Sequence, residues 1–173
     1  MEIPKRKLKM DVCTRWNSTY DMIERYCAME PAIYATLFTP SLKKNIKDVV
    51  TLSDDDNQCL RDLIEVLLPM KNATVAMCDE SIPTISMIAP LLYSLKLVMS
   101  PKEEDRAGIK EVKQVIEKDL NERYKDESVK ETLNLSAALD PRFKSLVFLS
   151  ADKKEEIISL LAVKAERQHT KVN

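Results

Sequence analysis

Residues 53 to 68 read S-D-D-D-N-Q-C-L-R-D-L-I-E-V-L-L. Ser53 with Asp56 three residues later forms a capping-box pattern, and Leu60, Leu63, Ile64 and Leu67 then recur on one helical stripe. Arg61, Asp62 and Glu65 fall on the other side, as an amphipathic helix requires. The same grammar repeats outward. Ser18 and Asp21 precede Met22, Ile23, Tyr26 and Met29; Ser128 and Glu131 precede Leu133, Leu135 and Leu139; Asp152 and Glu155 precede Ile157, Ile158, Leu160 and Leu161. Ile109, Val112, Ile116, Leu120 and Tyr124 trace a further stripe. Gly108 is the single glycine and aromatics make up 5% of the chain. These features predict an all-α fold, a kinked multi-helix bundle of at least five helices with at most marginal strand.

Prolines and turn residues place the boundaries. Pro31 suits the first turn of a new helix, so a break is expected near Glu30, with a second short helix through Phe38. Residues 39 to 52 read as a long loop. Pro69 and Pro90 each predict a kink or local break. Residues 79 to 83 read as a turn, after which Thr84 caps an apolar segment running to Met99; its composition suits the centre of a bundle, and periodicity alone leaves a buried strand pair open there. Asp140-Pro141 reads as the start of a short helix carrying Phe143, Leu146 and Val147. The expected organisation is a basic flexible arm at residues 1–10, a single helical domain at 11–166 with a possible subdivision at 100–105, and a frayed tail at 167–173.

Composition sets further bounds. A chain of 173 residues with 45% apolar content is long enough for one sizeable core. Its 27 basic and 28 acidic residues leave a net charge of −1, so any attraction to phosphate must come from a local patch. One glycine is too few for a P-loop or a dinucleotide fold. Cys13, Cys27, Cys59 and Cys78 show no close pair and His169 is distant, so buried or half-buried thiols are expected, with no metal site and no cofactor. No apolar run approaches the roughly 20 residues a membrane helix needs. A reducing intracellular compartment is the natural reading of the cysteine spacing.

The candidate functional residues are basic and aromatic. Trp16, the only tryptophan, follows Arg15 in the run D-V-C-T-R-W-N-S-T-Y-D-M from Asp11 to Met22. An indole face stacks on an unpaired base and an adjacent guanidinium neutralises a phosphate, whereas the alternative is a tryptophan buried to hold the first helix on the core. Lys5, Arg6, Lys7 and Lys9 form a basic run, read as a nuclear-targeting or DNA-tracking patch or as solvated charge; Lys43, Lys44 and Lys47 carry the same ambiguity. Arg142 suits a backbone phosphate or a local ion pair. Asp54, Asp55 and Asp56 raise a two-metal site, but three consecutive residues of a first turn point in different directions and complement the helix dipole instead.

Three ordered stretches carry a resemblance. T-R-W-N-S-T at residues 14–19, P-T-I-S-M-I-A-P-L-L at 83–92 and L-D-P-R-F-K at 139–144 closely resemble signatures of hAT transposases and the zinc finger BED proteins derived from them. In that family the first motif opens a helical domain inserted into an RNase H-like core, and its tryptophan lies close to the transposon end. The resemblance implies a nuclear, DNA-interacting helical domain. It also implies no catalysis by this stretch alone, because the family's catalytic aspartates lie upstream of the Arg-Trp motif and its third carboxylate sits in a Ser-Glu-Arg motif that this sequence lacks; Glu166-Arg167 is preceded by Ala165. The expected partners are DNA, other segments of a parent protein or a homo-oligomer, with no membrane and no small-molecule substrate. A domesticated protein-interaction scaffold and a fragment of an active transposase are the alternatives.

Overall fold

The computed structural model describes residues 7–39 and 51–172, apart from the side chains of Trp16 and residues 168–172. Lys5, Arg6, Lys43, Lys44 and Lys47, all named above, therefore lie outside the described residues, as does the indole of Trp16 and the side chain of His169. Among the described residues the fold is all-helical: α1 (Trp16–Leu37), α2 (Asp54–Met77), α3 (Ile85–Met99), α4 (Ala107–Arg123), α5 (Glu127–Leu139) and α6 (Ala151–Val172), with no strand. Two compact units divide at Lys71, within α2.

In the first unit, residues 16–37 form one continuous helix where the sequence predicts a break near Glu30. Pro31 removes a backbone donor and costs about 3 kcal/mol in a helix interior. Contacts on both sides of it hold the helix together. The Asn57 side chain, 2% exposed, accepts from Tyr26 Oη at 3.2 Å and donates to Tyr34 Oη at 3.1 Å, and Tyr34 Oη donates to the Leu52 carbonyl at 2.7 Å. Arg61 pairs with Glu30 beside the proline. The predicted capping box at α2 is present: the Ser53 amide donates to Asp56 at 3.0 Å and the Asp56 amide to Ser53 Oγ at 3.1 Å. The predicted stripe of α2 is only half-buried, however, and its most buried residues are Asn57 and Val66. Pro69 and, in the second unit, Pro90 likewise lie in unbroken helices.

In the second unit α3 packs against α4 and, most extensively, α5, while α5 packs against α6. Leu95 and Met99 of α3 are buried, but Ile85, Tyr93 and Leu97 are exposed, so this apolar helix is covered on one side only. Several caps sit off the predicted positions. Asp126, not Ser128, closes α5 by accepting from the Ser128 and Val129 amides. Ser150 rather than Asp152 precedes α6, its hydroxyl taking the Lys153 amide at 3.4 Å. α6 continues to Val172, past the expected fraying point. Lys113 is 6% exposed and bound to Asp105 at 2.7 Å. Cys27 is half-buried as expected, whereas Cys13, Cys59 and Cys78 are exposed, against the expectation of buried or half-buried thiols.

The expected helix after Asp140 is instead a chain of turns, bonded from Phe143 N to Asp140 O, Leu146 N to Phe143 O and Leu149 N to Leu146 O. Leu146 adopts φ 47°, a left-handed conformation costing about 1–3 kcal/mol in a non-glycine residue. Its side chain is 1% exposed in the cluster of Leu135, Ala137 and Ile157. Burying a leucine contributes about 1.5–3 kcal/mol, enough to offset the strain. Val147, predicted on the same apolar stripe, is 76% exposed.

Two stability outcomes follow. Ile157→Ala, at 1% exposure, is expected to cost about 2–5 kcal/mol in chemical denaturation, whereas Ile158→Ala, at 59%, stays within about 0.5 kcal/mol. A Cβ at Gly108 meets nothing within 4 Å and its φ is not positive, so Gly108→Ala is expected to stabilise the protein by about 0.4–1 kcal/mol.

Candidate nucleic-acid interface

The start of α1 is built by its own upstream residues. Arg15 is the N-cap and makes no side-chain cap bond. Ser18, read from the sequence as the cap, lies inside the first turn and turns its hydroxyl back: it meets Asp11 Oδ1 at 2.5 Å and the Arg15 carbonyl at 2.6 Å, and accepts from the Val12 amide at 2.8 Å. Thr19 Oγ1 donates to the same Asp11 oxygen at 3.0 Å. These hydroxyl bonds hold the Asp11 carboxyl below the usual carboxylate range. The motif's Ser and Thr thus brace the loop of residues 11–15, and the Arg15 side chain is exposed at its end.

Asp21, the other half of the expected capping box, has a different role. It receives Lys71 Nζ at 2.6 Å and Lys9 Nζ at 3.1 Å, which lower its pKa, the Lys71 bond most. Lys71 is raised by that bond and lies 4.3 Å from the centre of the Tyr20 ring. Lys9 is therefore partly neutralised within the protein. Lys7 offers its backbone too, accepting from Arg25 Nη1 at 3.2 Å. The basic arm accordingly finds partners on α1 from Lys7 onward.

Arg142 sits in the second unit. Its Nη2 meets Asp140 Oδ2 at 2.6 Å, its Nε meets both carboxylate oxygens at 3.0 and 3.1 Å, and its amide donates to Oδ1 at 2.9 Å. Ser86 Oγ donates to the same carboxylate at 2.6 Å, and Arg142 Nη2 approaches the Pro83 carbonyl at 3.4 Å. Two of the three signature stretches, 83–92 and 139–144, are thus clasped together through Asp140. Asp140 was read from the sequence only as a helix start and Ser86 was not singled out, because a contact 54 residues apart leaves no periodic trace. The guanidinium also lies 5.2 Å from the Phe143 ring, so the local ion-pair use of Arg142 is the one observed. Of the three acids at 54–56, Asp56 serves the capping box.

Over residues 1–66 the chain matches the family model described as the ZBED1 RNase-like helical domain. No curated protein and no solved structure matches it. The matched region holds the Arg-Trp motif and its brace, and it supports a zinc finger BED and hAT-type, transposase-derived relationship. The clasp at Ser86, Asp140 and Arg142 lies beyond the matched residues.

The Arg142 and Ser86 bonds hold the Asp140 carboxyl well below the usual carboxylate range, the arginine bond contributing most. A carboxylate with a depressed folded pKa stabilises above its unfolded value, about pH 4, and loses that contribution as pH falls further. Asp140→Asn is expected to lower the melting temperature at neutral pH, and the gap to wild type should shrink progressively below about pH 4. A gap constant across a pH series of thermal melts would show that the clasp carries no charge-dependent stability.

Proposed function

We propose that this chain is a non-catalytic, DNA-interacting helical domain of a nuclear protein related to the zinc finger BED and hAT transposase group. One observation carries the reading: the Asp11, Ser18 and Thr19 brace fixes an exposed Arg15 immediately before Trp16 at the first turn of α1. A guanidinium is suited to a phosphate and an indole to an unpaired base. The position adds to this, because the N-terminal end of a 22-residue helix carries partial positive charge. Lys5, Arg6, Lys7, Lys43 and Lys44 are proposed to add backbone contacts, and Arg142 a weaker one limited by its pairing with Asp140.

Catalysis is assigned to other segments of a parent protein, since the resemblance places the family's carboxylates outside this stretch. A second reading, a helical protein-interaction scaffold, is favoured by the apolar side chains left outside, among them Tyr93, Leu97, Leu139 and Val147.

A DNA-binding titration at several salt concentrations separates the two. On the DNA reading, the chain binds with a clear salt slope, and Arg15→Ala weakens binding similarly across sequences and flattens the slope by about one unit. Trp16→Ala is expected to cost about 1–3 kcal/mol of affinity for unpaired substrates with little change in melting temperature. Absence of salt-dependent binding would leave the scaffold reading.

A further inference from the structure

A cavity of about 200 Å³ opens in the second unit, where α3 packs on α5. Tyr93 and Lys96, three residues apart on α3, share one helix face, and Lys130 and Asn134, four apart on α5, share another. Tyr124, at the end of α4, and Phe148, in the turns after α5, also line it. The remaining walls are aliphatic.

Asn134 is out of keeping with such walls. It is 8% exposed, and its side chain makes no hydrogen bond among the described residues. A buried carboxamide left unpaired destabilises a fold, so its presence calls for a partner. The group is not sealed in, because among the described residues the buried side-chain atom that is both sealed and unpaired is Asn17 Oδ1. Asn134 therefore offers two donors and an acceptor to the cavity it lines.

Charge narrows the class of ligand. Two lysines and no acid line the cavity, in a chain whose 27 basic and 28 acidic residues otherwise balance. Lys96 is half-buried, and its ammonium makes no ion pair among the described residues. Lys130 holds Glu127 at 2.6 Å in an exposed pair, a kind that contributes little and yields to a stronger anion.

We propose that this cavity binds a nucleotide, with the base inside against the Tyr93, Tyr124 and Phe148 rings and the phosphate at Lys96 and Lys130. Its volume is below the roughly 300–1,000 Å³ that encloses a whole drug-sized ligand, so it holds one ring system and leaves sugar and phosphate at the rim. A carboxamide pairs with the adjacent donor and acceptor of adenine, and aromatic rings give a base a stacking surface. A simple carboxylate would satisfy the lysines and leave the carboxamide unpaired. Side chains rather than backbone hold the phosphate, in keeping with a chain whose single glycine excludes a glycine-rich cradle. The site lies wholly within the second unit and does not rest on the Arg15 and Trp16 reading.

Titration of the isotope-labelled full chain with deoxyadenosine monophosphate, followed by nuclear magnetic resonance, tests it. The Asn134 side-chain amide and the backbone amides of Tyr93 and Lys96 are expected to shift saturably. Lys96→Ala and Asn134→Leu should each weaken binding by about tenfold. Asn134→Leu puts an apolar group of similar size in place of an unpaired amide, so it should melt no lower than wild type. Arg15→Ala should leave this affinity unchanged. In the Arg15→Ala background, a single-stranded deoxyadenosine oligomer separates two sources of the nucleotide. Binding tighter than the monophosphate and lost with Asn134→Leu assigns the cavity to a strand, and equal binding assigns it to the free nucleotide. No saturable shift at Asn134 overturns the proposal, as does inorganic phosphate that binds as tightly as the nucleotide. N-acetyl-phenylalanine that binds more tightly than the nucleotide, with the same dependence on Asn134, would give the cavity to a peptide carboxyl terminus and overturn it too.

Discussion

One glycine in 173 residues leaves the glycine stop unavailable at almost every helix C-terminus, while at helix starts and turns the orphaned backbone amides need side-chain acceptors. Short carboxylates and hydroxyls supply them. Asp11 and Ser18 brace the entry to α1, Ser53 and Asp56 close α2, Asp79 ties the Ser81 amide in the turn before α3, and Asp126 closes α5. Asp140 closes the turn after α5 on the Arg142 amide. These five acids are thereby committed to shape, and hydrogen bonds hold each carboxyl below its ordinary pKa range, chiefly from serine hydroxyls at Asp11, Asp56, Asp79 and Asp126 and from Arg142 at Asp140.

The same economy shapes the charge that remains. Asp21 draws Lys9 and Lys71 onto α1, Asp140 draws Arg142 onto its own turn, and Asp105 takes Lys113 out of solvent. A chain whose charges balance overall can bind phosphate only where a cation escapes such pairing. Arg15, exposed at the end of a braced loop, is paired with no acid among the described residues. Its position depends on Asp11 through the Ser18 contact with the Arg15 carbonyl, so the carboxylate orders the cation without neutralising it.

Proline shows where local rules yield to packing. Pro31, Pro69 and Pro90 each sit inside a continuous helix. At Pro31 the reason is visible: Tyr26 and Tyr34 grip one buried asparagine from both sides of the proline, and their bonds secure the helix on either side of the missing donor. Leu146 is the converse case, a left-handed leucine tolerated because its side chain fills the core.

Helical class and the positions of the long helices are written in the sequence because they depend on neighbours three or four residues apart, whereas the separate helices expected after Pro31 and after Asp140 are absent. The capping box at Ser53 and the stripe ending in Leu120 are legible for that reason. The candidate Arg15 and Trp16 were legible as a residue pair in a motif. What tertiary structure alone decided are contacts between residues far apart in the chain: Lys71 on Asp21, Asn57 between two tyrosines, and Asp140 joining Ser86 to Arg142. A carboxylate in a sequence has many possible donors within reach, and only the folded chain brings one set of them within 3 Å. For the same reason the sequence reads Lys9 as part of a basic run and leaves Arg142 open between a backbone phosphate and a local ion pair, and the fold gives both to acids.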